Sequence, residues 1–215
     1  MQNDFAKGIM MDFSQLGEEQ LQALQEMSIT GMDNAATALS QLMERNIHLK
    51  VPRVLAMDAA QVPEFLGTTQ FLVIGVYIQI LGDARGNIMM VFTRENAMQM
   101  LDNLLSRDKP RSALLNALEV SAMKEVGNIL ASAYLNALGK RLKMTLIPSV
   151  PVLSFDMTGA VVDFVLNKLG ELGDLSFMIE TEFAEDNDNF SGHFFLLPDH
   201  ASLDIILSKI SVCSG

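Results

Sequence analysis

The sequence predicts an α/β fold of the α+β type. Two similar units, related by a pseudo-two-fold, should share one largely antiparallel sheet, with two long amphipathic helices on an accessible face. Three observations predict it. The chain repeats itself: an offset of 99 residues pairs Glu26 with Glu125, Ala38 with Ala137, Leu39 with Leu138, Val51 with Val150 and Pro52 with Pro151. Each repeat opens on a helix-period stretch and continues with strand-like runs. Those runs are joined by short hairpin loops, which make neighbouring strands antiparallel. Two alike units that cannot cover their own strands should pack as one domain.

Residues 1–15 carry no periodicity and read as a flexible lead-in to a single domain over 16–210. In the first unit, 16–105, helix character runs from Glu18 to about Asn46. Leu21, Leu24, Ser28, Ala35, Leu39 and Leu42 line one face. Gly31 interrupts it and predicts a bend or a close contact. Residues 47–57 alternate and contain Pro52, so this is an edge strand or carries a bulge, because proline has no N–H to donate. Residues 59–66 read as a short helix and 69–81 as a strand. Residues 82–86 form a hairpin loop, 87–92 the return strand and 94–105 a helix. A linker at 106–110 ends in Pro110, which stops any helix running through.

The second unit, 111–210, repeats the order. A helix over 114–138 should present Leu118, Ala122, Val126, Ile129, Ala133 and Ala137 on one face. A strand over 143–154 follows, then a helix over 158–169. Paired strands span 175–183 and 190–197, and a last helix spans 201–210. A short tail, 211–215, closes the chain. Gly86 aligns with Gly192, so the offset has grown to 106, which a longer connection in the second unit absorbs. The acidic run at 185–189 lacks the glycine and closing glutamate of a calcium loop. It reads as a charged hairpin tip that discourages edge pairing.

Composition narrows the function. Apolar residues make up 49% of the chain and charged residues 19%, enough for a sizeable core. A net charge of −11 and no Lys/Arg block argue against nucleic acid and anionic lipid as main partners. No apolar run is long enough to span a bilayer. The single cysteine, Cys213, is third from the end and cannot form an internal disulfide, which suits a reducing cytoplasm. Fifteen methionines and no tryptophan indicate a pliable core. His48, His193 and His200 show no metal-ligand spacing, so no metal is expected on this chain. No phosphate-binding glycine loop or nucleophile elbow is present.

One constellation stands out. Ser121, Glu125, Asn128 and Ser132 step by three or four along the long helix of the second unit, as a polar stripe. With Pro151 they give the spacing Ser-x3-Glu-x2-Asn-x22-Pro. Taken alone, a Glu-x2-Asn pair is an ordinary solvated helix face. Ser121 is read either as a site residue or as a hydroxyl that is solvated or bonds back to its helix. Pro151 shapes the strand beneath.

The full spacing resembles that of the CheC/CheX/FliY family of bacterial chemotaxis phosphatases, and most of all CheC proteins. The resemblance covers nearly all of 16–210, and residues 34–40 also look like the corresponding first-unit helix. It implies a cytoplasmic aspartyl-phosphate protein phosphatase whose substrate is a phosphorylated CheY-type receiver domain. Glu125 would dock on a lysine of the receiver, and Asn128 would orient water onto the phosphoryl group. Ser121 and Pro151 would belong to the binding surface. Mg²⁺ would sit on the receiver, with no cofactor on this chain.

The first unit departs from the pattern: Gln22 replaces the Asp or Ser and Ile29 replaces the Asn, while Glu26 and Pro52 remain. Isoleucine cannot hold a water, so this copy is expected to be a degenerate site. Glu26 is then a leftover or a docking residue. The rival expectation for the whole chain is a catalytically silent interaction module. It would bind a CheD-type receptor deamidase, a receiver or a flagellar switch protein. The sequence does not specify the oligomeric state.

Overall fold

The computed structural model describes residues 18–44, 46–58, 72–105, 115–157, 160, 175–185 and 188–213. In chain order the elements are α1 (Glu18–Met43), β1 (His48–Asp58), β2 (Leu72–Gly82), β3 (Gly86–Thr93) and α2 (Arg94–Leu105). The second unit adds α3 (Ala117–Leu142), β4 (Leu146–Pro148), β5 (Val152–Met157), β6 (Leu175–Glu185), β7 (Asp188–Pro198) and α4 (His200–Cys213). The helices expected at 59–66 and 158–169 lie outside the described residues, as do the lead-in and the linker at 106–110.

The seven strands form one sheet in the order β1-β6-β7-β3-β2-β4, with β5 also on β2, and the pairs are antiparallel. Exchanging the two units reverses this order and leaves it otherwise unchanged. The two hairpins, β2–β3 and β6–β7, meet at the centre. Each outer strand borders the other unit's hairpin: β1 pairs with β6, and β4 and β5 pair with β2.

Alternate residues of the central strands face the helices. Ile74, Val76, Ile78 and Ile80 of β2, Ile88, Met90 and Phe92 of β3, and Phe194 and Leu196 of β7 join α1 and α3 in one core. The residues between them, including Val73, Tyr77, Met89, Val91, Phe195 and Leu197, are buried as well. A strand buried on both faces reads as a continuous apolar run, which is how β2 reads in the sequence. Tyr77 donates its phenol proton to Asn87 Oδ1, and burial raises the pKa of that phenol.

α1 and α3 pack against each other at Gly31. A methyl group there would lie 2.8 Å from Tyr134 Cδ2 and 3.2 Å from Tyr134 Cα, so Gly31 marks a close helix crossing. Tyr134 is fully buried at this crossing, with its hydroxyl 3.4 Å from Ser28 Oγ and its ring 4.9 Å from that of Phe194. Burial pushes its pKa up to about 12. Leu24, Ser28, Ala35 and Leu39 are buried as their spacing predicts. Leu42 instead lies outside the core, at the solvent.

α3 corrects the sequence reading more substantially. It spans Ala117–Leu142 and buries Met123, Val126, Leu130, Ala131, Tyr134, Leu135, Leu138 and Leu142. Of the face expected from spacing, only Val126 is fully buried, and Leu118 is 56% exposed. The helix is apolar around most of its circumference, so two competing stripes satisfy the same period. The choice between them falls to the sheet. Its ends are well defined: Asn116 Oδ1 accepts from the Leu118 and Glu119 N–H groups, and Glu119 Oε2 accepts from the Asn116 N–H at 2.7 Å. At the other end Lys143 is left-handed and the Met144 N–H donates to Gly139 O.

The alignment of Gly86 with Gly192 fits α2 and α4, which begin at Arg94 and His200. At the hairpins it fails to place equivalent turns, because Gly86 opens β3 while Gly192 lies inside β7 opposite Thr181. The second hairpin is longer. In the first, Gly82 turns with φ 112, where a side chain would strike Thr145 O.

Candidate functional site

The strand expected over 143–154 is broken. β4 ends at Pro148 and β5 starts at Val152, and both pair with β2. Three residues, Ser149, Val150 and Pro151, therefore face two, Ile78 and Gln79, which is a β-bulge. The bulge is pinned in both directions. Ser149 N–H donates to Gln79 O at 2.9 Å, and Gln79 N–H donates to Ser149 Oγ at 2.9 Å. Pro151 is buried and supplies no N–H to the ladder, which suits it to this irregular position. Val150 projects from the bulge and is 83% exposed.

The bulge lies beside the first half of α3. Between them runs an open groove of about 410 Å³, lined by Ser121, Lys124, Glu125 and Asn128 from the helix and by Pro148, Ser149, Val150 and Pro151 from the strand edge. The four residues singled out by spacing thus meet in one place. Ser121 and Glu125 are exposed, and Asn128 is half-buried between the buried Val126 and Leu130. Within the described residues, Ser121, Lys124, Glu125 and Asn128 make no hydrogen bond or ion pair. Ser121 differs here from Ser28, Thr30 and Thr37 of α1, whose hydroxyls bond back to the carbonyl four residues earlier. Gly127 lets this part of α3 sit close on the sheet: a methyl there would be 2.6 Å from Val76 Cγ1.

Sequence reasoning missed Lys124, Pro148, Ser149 and Val150. Lys124 sits beside Glu125 in the chain, and a plain helical-wheel projection would have found it at the groove's edge. Nothing in the sequence marks Ser149 and Val150 except their position before Pro151, because the bulge depends on pairing with β2.

The first unit has a comparable strand irregularity: Val51 and Pro52 of β1 face the single residue Thr181 of β6. Gln22 and Glu26 are exposed on α1, and Ile29 is 41% exposed. Glu26 lines a groove of about 530 Å³ with Met27, Thr30, Asn34, Ala137, Lys140 and Arg141, towards the end of α3. Among the described residues no group of His, Cys, Asp or Glu is arranged to hold a metal ion, and no helix is long and apolar enough to cross a membrane.

The chain is 30% identical over 196 residues to the CheY-P phosphatase CheC of Bacillus subtilis, covering 89% of this chain and 94% of that protein. Its fold superposes on FliY of Thermotoga maritima with a TM-score of 0.74 at 16% identity, covering 92% of this chain and 98% of that one. It also superposes on H. pylori FliM, as seen in a FliG–FliM complex, with a TM-score of 0.63 at 14% identity, covering 90% and 100%. No protein-family model matches the chain.

Proposed function

The chain belongs to the CheC family, and from that premise we propose that it hydrolyses the aspartyl phosphate of a CheY-type receiver at the α3 groove. One observation carries the reading. Ser121, Glu125, Asn128 and Pro151 line a single groove open to a visiting protein, and among the described residues the three polar side chains make no hydrogen bond or ion pair.

Such a site has the chemistry the reaction needs. An acyl phosphate is already activated, so water must only be held in line with the phosphorus, on the side opposite the departing carboxylate. The P–O bond to the aspartate breaks, the water oxygen bonds to phosphorus, and aspartate and inorganic phosphate are released. Asn128 is suited to hold that water: its carboxamide both donates and accepts hydrogen bonds, and it carries no charge to repel the phosphoryl group. A position on a helix packed against a sheet keeps it fixed, which a loop would not. Glu125, one turn earlier and exposed, docks on a cationic side chain of the receiver. Ser121 and Pro151 belong to the binding surface. Mg²⁺ belongs to the receiver, and this chain contributes no cofactor. The first unit, with Ile29 in place of the amide, is catalytically silent.

A second reading has one observation in its favour. A FliM of the same fold is found bound to FliG, so this scaffold also serves assembly. On that reading the chain is an interaction module, with a receiver, a switch protein or a CheD-type deamidase as its partner. Phosphate release from a phosphorylated receiver with Mg²⁺ separates the two. Wild type should accelerate it, Asn128→Ala should abolish the acceleration, and Glu125→Ala should act mainly through KM. A complex that forms while the decay rate stays unchanged would establish the interaction module instead.

A further inference from the structure

We infer that Val150 is the anchor by which this chain grips its substrate protein, an inference that rests on the receiver-phosphatase reading above. Val150 is 83% exposed, more than any other large apolar side chain among the described residues, and it lines the groove that holds Asn128. Single apolar side chains at a surface are ordinary. This one is distinguished by how it is held. Ser149 before it is tied to Gln79 by two hydrogen bonds of 2.9 Å, and Pro151 after it is buried. The bulge therefore displays Val150 on a fixed support at the rim of the site. A β-branched side chain has few rotamers to lose, so burying it against a partner carries a small entropic cost.

The rest of the groove explains why an anchor is needed. Its helix side is polar: Ser121, Lys124, Glu125 and Asn128. Polar groups that meet a polar acyl-phosphate site exchange bonds with water for bonds with protein, and their net gain is small. They fix orientation more than affinity. Affinity must come from apolar area excluded beside the reacting groups. Val150 provides it on the strand side of the groove. Leu118, 56% exposed and one turn before Ser121 on the same stripe of α3, provides it on the helix side. The surface thus fits a receiver that carries an apolar patch next to its phosphorylated aspartate.

Steady-state phosphate release from a phosphorylated receiver with Mg²⁺ tests this in Val150→Asp and in the near-isosteric Val150→Thr. Val150→Asp should raise KM about tenfold or more, and Val150→Thr a few-fold, with kcat within twofold of wild type. The melting temperature should not move, because the side chain is already in water. A wild-type KM in Val150→Asp, or a fall in kcat alone, would overturn the anchor while leaving the phosphatase reading intact. Failure of wild type to accelerate decay at all would overturn both. If Val150→Asp instead dissociates a dimer in sedimentation and leaves KM alone, the side chain contacts a second copy and the inference is wrong.

Discussion

Replacing Gly127 by alanine sets helix propensity against packing. On an isolated helix the change is favourable by about 1 kcal/mol. Here the new methyl would lie 2.6 Å from Val76 Cγ1 and 3.5 Å from Val76 Cβ. Carbon atoms rest about 3.5–4.0 Å apart, so something must give by about 1 Å. Val76 is fully buried on β2, between β3 and β5, and its branched side chain is stiff. The helix is the part that yields. Overpacking of this kind costs about 1–3 kcal/mol, which leaves a net loss of about 0–2 kcal/mol after the propensity gain. Turnover should suffer more than stability. Asn128 is the next residue, and misplacing a water-orienting group by about 1 Å costs on the order of a hundredfold in rate. Urea denaturation measures the first effect, and phosphate release from a phosphorylated receiver measures the second. Val76→Ala in the same chain removes the obstructing methyl and should return most of the lost rate. A Gly127→Ala chain that gains the full propensity increment and keeps wild-type turnover would refute the close-packing argument.

Three further outcomes follow from the geometry. Asn116→Ala removes the acceptor for the Leu118 and Glu119 N–H groups and should cost about 1–2 kcal/mol in chemical denaturation, with a restored cap, Asn116→Asp, close to wild type. Burial raises the pKa of Tyr134 from 10.0 to about 12, so the folded chain holds this proton longer than the unfolded one. The stability it confers is intact below pH 10 and is lost as pH rises through about 12. Between pH 8 and 11.5 wild type should therefore lose about 2 kcal/mol more than Tyr134→Phe in urea titrations. Introducing Ile29→Asn into an Asn128→Ala chain puts an amide on the exposed face of α1. It should return measurable phosphate release, below the wild-type level, and none at all would mean the first unit lacks more than its amide.

Much of the fold is legible in the chain because it is written twice. Pro52 predicts an edge strand or a bulge over 47–57, and β1 is both an edge strand and irregular there, whereas the break in the second unit's strand at Val150-Pro151 is not predicted. The central hairpins are legible because their strands are apolar runs bounded by turn residues. The buried face of α3 is not, since Leu118 and Ala122 satisfy the helical period as well as Met123 and Leu130 do. Only the position of the sheet decides between them. The polar stripe is easier to read, because Ser121, Glu125, Asn128 and Ser132 recur at steps of three or four along the helix. Their neighbours across the groove are hidden for the opposite reason. Ser149 and Val150 acquire their positions from a register shift against β2, a strand some seventy residues earlier in the chain.

The alternation of the two units across the sheet binds their fates together. β6 is covered on one side by β1, and β2 by β4 and β5, so each half lends the other its outermost strand. A lone half would leave a bare hairpin edge, ready to seek a mate. The unit that carries Ile29 where the other carries Asn128 cannot be discarded, because β6 would lose its neighbour β1 and β7 its neighbour β3.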